Sequence, residues 1–148
     1  MKLCLLNDID YERRFEELNQ LRLLGKDEDA KLKYSLPILK KLGSSYMVNL
    51  PSKKTLFRKI GSCYGNAFRL MMDKGYQYVE GYVSLKGQEQ KFSHAWNIDE
   101  NGRHVDFTLR NSQEFEYFGI VIPNSLVHDV GFFNGKLSYC VLPYLELE

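Results

Sequence analysis

One short stretch constrains this chain more than any other. Asp99-Glu100-Asn101-Gly102 stands between two extended segments, Lys91 to Ile98 and His104 to Leu109. Asp at the first position, followed by Gly in a left-handed conformation, fits a type I turn closed by a bulge. That turn pairs Asp99 with Arg103, sets His94 opposite Thr108 and sets Asp106 opposite Trp96. His94 and Asp106 then share one face of the sheet as diagonal neighbours, with backbones about 7–8 Å apart. A two-residue Asn-Gly turn would shift the register by one and put the two side chains on opposite faces. The turn type therefore decides whether an imidazole and a carboxylate can meet.

Helical patterns precede the hairpin. Asp10 to Leu24 carries Tyr11, Phe15, Leu18, Leu21 and Leu24 at three- and four-residue steps, with Asp8 or Asp10 as cap and Gly25 as terminator. Asp27 to Leu42 reads as a second helix, its acidic start and its Lys40-Lys41 end matching the helix dipole. Pro37 is expected to kink or split it. Tyr46 to Leu50 reads as a short extended piece, and Met1 to Leu6 as a strand or apolar lead-in. Ser62 is placed to cap a helix with Ala67, Leu70 and Met71 on its apolar stripe, closed by Lys74-Gly75. Extended segments then dominate: Tyr76 to Ser84, the hairpin, Tyr117 to Ile122 and Lys136 to Leu145, with one helical turn over Asn124 to Val130. Helices first and an antiparallel sheet second give an α+β domain. One domain spans 1–148, with a helical N-terminal part (1–60) and a helix-plus-sheet part (61–148).

Composition excludes several classes. The chain has 148 residues, 44% hydrophobic and 26% charged, in the range of an ordinary globular domain. No apolar run approaches the roughly 20 residues of a membrane span, and the N-terminus lacks the pattern of a secretory signal. Cys4, Cys63 and Cys140 form a sparse, odd set without a CxxC pair, which fits a reducing, cytoplasmic setting. Net charge is +1, yet it is unevenly spread. Lys31 to Met72 contains no Asp or Glu but holds Lys31, Lys33, Lys40, Lys41, Lys53, Lys54, Arg58, Lys59 and Arg69. Asn111 to Glu148 holds Glu114, Glu116, Asp129, Glu146 and Glu148 against Lys136. A solvated basic surface and a basic approach to a site for an anionic substrate both fit. Nucleic acid is not expected, because basic and aromatic residues do not interleave.

The chemistry-bearing residues are Cys63, His94 and Asp106. A thiol at a helix start sits among unpaired backbone N–H groups and the positive dipole end, which stabilise a thiolate. Arg58 and Lys59 add to that field. The Cys63 backbone N–H is free to bind an oxyanion. An imidazole then serves as base and acid, and a carboxylate fixes its tautomer. Taken singly, Cys63 reads as a small buried hydrophobe, His94 as a satisfied sheet histidine and Asp106 as a strand-edge carboxylate. His104, beside the turn, reads as solvated and structural, and so does His128. A metal held by the trio is chemically open, but no second Cys or His lies at close ligand spacing. No metal or cofactor is expected.

Cys63-x-x-Asn66-Ala67 opening a helix, then Tyr78-Val79-Glu80-Gly81-Tyr82-Val83, His94-Ala95-Trp96 and Val105-Asp106-Phe107-Thr108 resemble the transglutaminase-like branch of the papain-like cysteine protease superfamily. The resemblance runs over Gly61 to Arg110. It implies Cys63 as nucleophile, His94 as general base and acid and Asp106 as orienter, on a helix packed against an antiparallel sheet. Tyr64 and Trp96 are the candidates for contacting substrate. No Gln precedes Cys63 closely, so the second oxyanion donor has no clear residue beyond Tyr46. The expected function is thiol-dependent acyl transfer or amide or ester hydrolysis on a protein- or peptide-like substrate. The competing readings are a catalytically silent binding module, or a bacterial or phage accessory protein, with the basic surface meeting an acidic partner.

Overall fold

The computed structural model describes residues 2–134 and 140–148. Its elements follow the order β1 (Leu3–Leu5), α1 (Asp8–Leu23), α2 (Asp27–Leu42), β2 (Ser44–Tyr46), α3 (Cys63–Lys74), β3 (Gln77–Leu85), β4 (Phe92–Ile98), β5 (His104–Val105), β6 (Phe115–Ile122), α4 (Asn124–Asn134) and β7 (Leu145–Leu147). The class is α+β. Five strands form an antiparallel sheet in the order β2-β6-β3-β4-β5, and β1 pairs with β7 in a separate two-stranded sheet. No helix among the described residues is long and apolar enough to cross a membrane.

The hairpin adopts the bulged register. Ile98 pairs with His104 and Asn97 with Val105. Asp99 N–H donates to Arg103 O at 2.9 Å, Gly102 N–H donates to Asp99 O at 3.1 Å, and Gly102 takes φ 76°. The Asp99 carboxylate accepts from the backbone N–H groups of Asn101 and Arg103. This side-chain turn explains why Asp, rather than Asn-Gly alone, selects the loop.

The sheet carries a core on each face because its residues alternate. Tyr78, Tyr82, Ile120 and Ile122 face the helices and join the larger core with Ile38, Leu39, Ala67 and Met71. Val79, Val83, Trp96, Ile98 and Tyr117 face the other way and pack with Tyr46 and Val48. The chain after β2 crosses this second face: Ser44 to Tyr46 pair with β6, and Asn49 bridges Val105 beyond β5. The sheet thus curls, with Trp96 and Tyr117 filling the concavity. Gly119 makes room for them, since a Cβ there would stand 2.6 Å from the Trp96 ring.

Local outcomes differ from the sequence expectation in several places. The cap of α1 is Asn7, whose side-chain oxygen accepts from Asp10 N–H at 2.9 Å, instead of Asp8 or Asp10. Helix α2 runs through Pro37 unbroken. Pro37 is exposed while Ile38 and Leu39 are 3% exposed, so burial of the opposite face offsets one missing N–H. β5 stops at Val105 instead of reaching Leu109, because the Asp106 carboxylate accepts from Thr108 and Leu109 N–H and turns the chain. The region after β6 forms a full helix, α4, rather than a single turn. Of the strand expected over Lys136 to Leu145, residues 136–139 lie outside the described residues. Leu142–Tyr144 is a 3-10 turn, and the strand that follows is β7. Residues 1–60 are not helical alone, since they supply β1 and β2.

Candidate active site

Helix α3 begins at Cys63 with Ser62 at its N-cap position. The Ser62 side chain makes no capping bond. The first helical hydrogen bond runs from Asn66 N–H to Ser62 O at 2.8 Å. The N–H groups of Cys63, Tyr64 and Gly65 therefore precede the helical ladder, at the positive end of the helix. Asn66 anchors this turn across the site: its Nδ2 donates to Lys59 O at 2.8 Å and to Thr108 Oγ1 at 2.9 Å. The Asn of the Cys-x-x-Asn-Ala motif thus ties the helix start to the chain just past Asp106.

His94 Nε2 stands 2.7 Å from Asp106 Oδ2, with His94 7% and Asp106 0% exposed. Asp106 is saturated. Oδ2 also accepts from Tyr117 Oη at 2.6 Å, and Oδ1 accepts from Thr108 and Leu109 N–H, each at 2.9 Å. Burial alone would raise the Asp106 carboxyl, but His94 and these donors hold it below its usual range. Burial likewise pulls His94 down, yet hydrogen bonding and charge from Asp106, followed by Cys63, push it up to about 10. The Cys63 side chain is therefore close enough to the imidazole to act on its protonation. Since Nε2 belongs to Asp106, Nδ1 is the nitrogen left for the thiol.

The structure brings Cys63, His94 and Asp106 together; Trp96 is buried in the smaller core, while Tyr64 is half-buried and packs against the larger one. Trp96 is 1% exposed, lies parallel to His94 at 6.3 Å and donates from Nε1 to His104 Nδ1 at 2.9 Å. His104 is accordingly half-buried rather than freely solvated. It accepts from Trp96, stacks on Tyr46 at 4.0 Å, and burial lowers its pKa. Tyr46 is thus engaged with His104. The Tyr64 ring packs on the larger core, with Lys31 Nζ 5.4 Å above it.

Two contributors escaped sequence reasoning. Tyr117 comes from β6, whose pairing with β3 (Val83 opposite Tyr117) is not encoded in any local turn. Arg110 donates from Nη1 to Arg58 O at 2.7 Å and to Thr108 O at 2.8 Å, and it lies 4.7 Å over the Phe57 ring. Together with Arg58 N–H donating to Phe107 O at 2.7 Å, it straps the basic loop beside the site. Among the described residues no group of three His, Cys, Asp or Glu is arranged to hold a metal ion. Comparison with family models, curated proteins and solved structures found no match to this chain.

Proposed function

We propose that the protein is a thiol enzyme of acyl transfer, transglutaminase-like in its arrangement, acting through Cys63, His94 and Asp106. The observation that carries this reading is the contact of His94 Nε2 with fully buried Asp106 at 2.7 Å, while Cys63 at the start of α3 bears on the same ring.

In the forward step the Cys63 thiolate forms a bond to the carbonyl carbon of an amide, ester or thioester. The carbonyl electron pair moves to oxygen, where the free N–H groups at the start of α3 meet it. His94 gives its Nδ1 proton to the leaving group as the acyl bond breaks. Water or an amine then attacks the acyl-sulfur carbon, His94 takes its proton, and the thiolate leaves. Asp106 stays ionised throughout, keeping the imidazolium in place. Lys53, Lys54 and Lys59 are exposed on the strapped loop, which favours an anionic protein or peptide as acyl donor.

The test is intact-mass measurement after brief exposure to an activated ester. One acyl group is expected on Cys63, with its formation lowered about a hundredfold or more in His94→Ala. Acylation spread evenly over Cys4, Cys63 and surface lysines, unchanged in His94→Ala, would leave a silent binding module as the better account.

A further inference from the structure

Strand β3 is bare where it runs between His94 and β6. Gly81 pairs with His94 on β4 and with Gly119 on β6, so two positions of that row carry no side chain. Tyr117, 3% exposed, reaches from β6 past β3 to the carboxylate that follows β5. Its hydroxyl donates at 2.6 Å to Asp106 Oδ2, the same oxygen that meets His94 Nε2 at 2.7 Å. The other oxygen, Oδ1, already accepts from Thr108 and Leu109 N–H. The Tyr117 ring also stands edge-on to His94 at 6.1 Å and to Trp96 at 5.0 Å. A Phe would keep those ring contacts. The hydroxyl adds a donor on the one oxygen that serves the imidazole.

Two donors on one oxygen compete. While the imidazole is neutral, the carboxylate charge is uncompensated and the phenol bond is at its strongest. Once imidazolium forms, the charge is shared and the phenol bond weakens. Tyr117 therefore favours the neutral ring, against Asp106, which favours the charged one. Burial and Asp106 raise the Tyr117 pKa, so it stays an O–H donor. Titratable groups face His94 from three directions: Asp106 after β5, Cys63 on α3 and Tyr117 on β6. A group that both gives and takes a proton works best when it holds that proton neither too tightly nor too loosely.

Resting on the thiol-enzyme reading above, we propose that Tyr117 is a positioning residue for the reaction: by sharing Asp106 Oδ2 with His94, it limits how tightly the imidazole holds the proton that passes to the leaving group. The role is exerted through Asp106, without contact with substrate.

The experiment follows the ring of isotopically labelled histidine by NMR across pH, the signal missing from His94→Ala being that of His94. Tyr117→Phe should tighten the hold of His94 on its proton about three- to tenfold. A ring-fluorinated tyrosine placed site-specifically at 117 keeps the fold and donates more strongly, so it should loosen that hold. Loss of the acyl group from Cys63, read by intact mass, should move along the pH axis with the ring in each variant. A merely structural tyrosine would change stability and leave both pH profiles in place. A His94 titration unmoved in both variants, or moved the same way by both, would overturn the proposal, as would a ring that moves while acyl loss does not. Failure of the unaltered protein to take up an acyl group on Cys63 would instead sink the thiol-enzyme reading, and the ring titration would still decide whether Tyr117 governs His94.

Discussion

Asp106 shows how one carboxylate can be held ionised in a dry site. Four donors converge on it, and only one of them, His94, can bring a positive charge. Tyr117→Phe removes one donor and should cost about 1.5–3 kcal/mol, the worth of a hydrogen bond to a charged group, read by denaturant unfolding. Asp106→Asn should have a sharper signature. Burial is the largest influence on His94 and lowers its pKa, so without the carboxylate the group should fall well below about 10. The His94 ring proton, followed by NMR against pH, measures that directly. The same linkage sets a stability profile. The His94 pKa is raised on folding, so the pair's contribution is full below about 6.5 and drains as pH rises through about 10. Asp106 is lowered, so its contribution is present above its ordinary 3.8 and fades as pH falls below that. Unfolding curves taken across pH should fall away at both ends, and His94→Ala should remove the part of the alkaline loss that begins above about 6.5, leaving the loss at higher pH from buried tyrosines.

The elements explain which parts of the site could be read from the chain. The β4–β5 register was legible because Asp99 and Gly102 fix it locally, through Asp99's own side-chain bonds and a positive φ. The start of α3 at Cys63 was legible from the apolar stripe behind it. Tyr117 was not, since its place beside Asp106 depends on β6 crossing back to β3 and on the curl of the whole sheet. The burial of Trp96 was not legible either, because aromatic character does not say which face of a strand a ring occupies. The sheet's concavity makes a further demand. Gly119→Ala would put a Cβ 2.6 Å from the Trp96 ring and 2.8 Å from Glu80 O. It should destabilise the protein by about 1–3 kcal/mol through overpacking. Near-ultraviolet circular dichroism would report the displaced Trp96.

At the scale of the molecule, the candidate site rests on a sheet whose other face is locked to the C-terminal segment by a second buried carboxylate. Glu80, 2% exposed, accepts from Tyr78 Oη at 2.6 Å, Val141 N–H at 2.7 Å and Leu142 N–H at 2.6 Å. Burial raises its pKa. Glu80→Gln would set an amide donor against one of those donors. It should cost about 1–3 kcal/mol and speed proteolysis of the C-terminal segment, visible by limited digestion. Through that clamp, β7 is held against β1, and the first and last strands close the fold together. The central claim is that this frame exists to make one thiol reactive, and alkylation tests it most directly. Native protein is treated with iodoacetamide over a range of pH, and the labelled cysteines are mapped by mass spectrometry. The account predicts that Cys63 reacts first, that it does so below neutral pH, and that His94→Ala slows it there. Labelling of Cys63 no faster than an ordinary free thiol at every pH, and indifferent to His94→Ala, would contradict it.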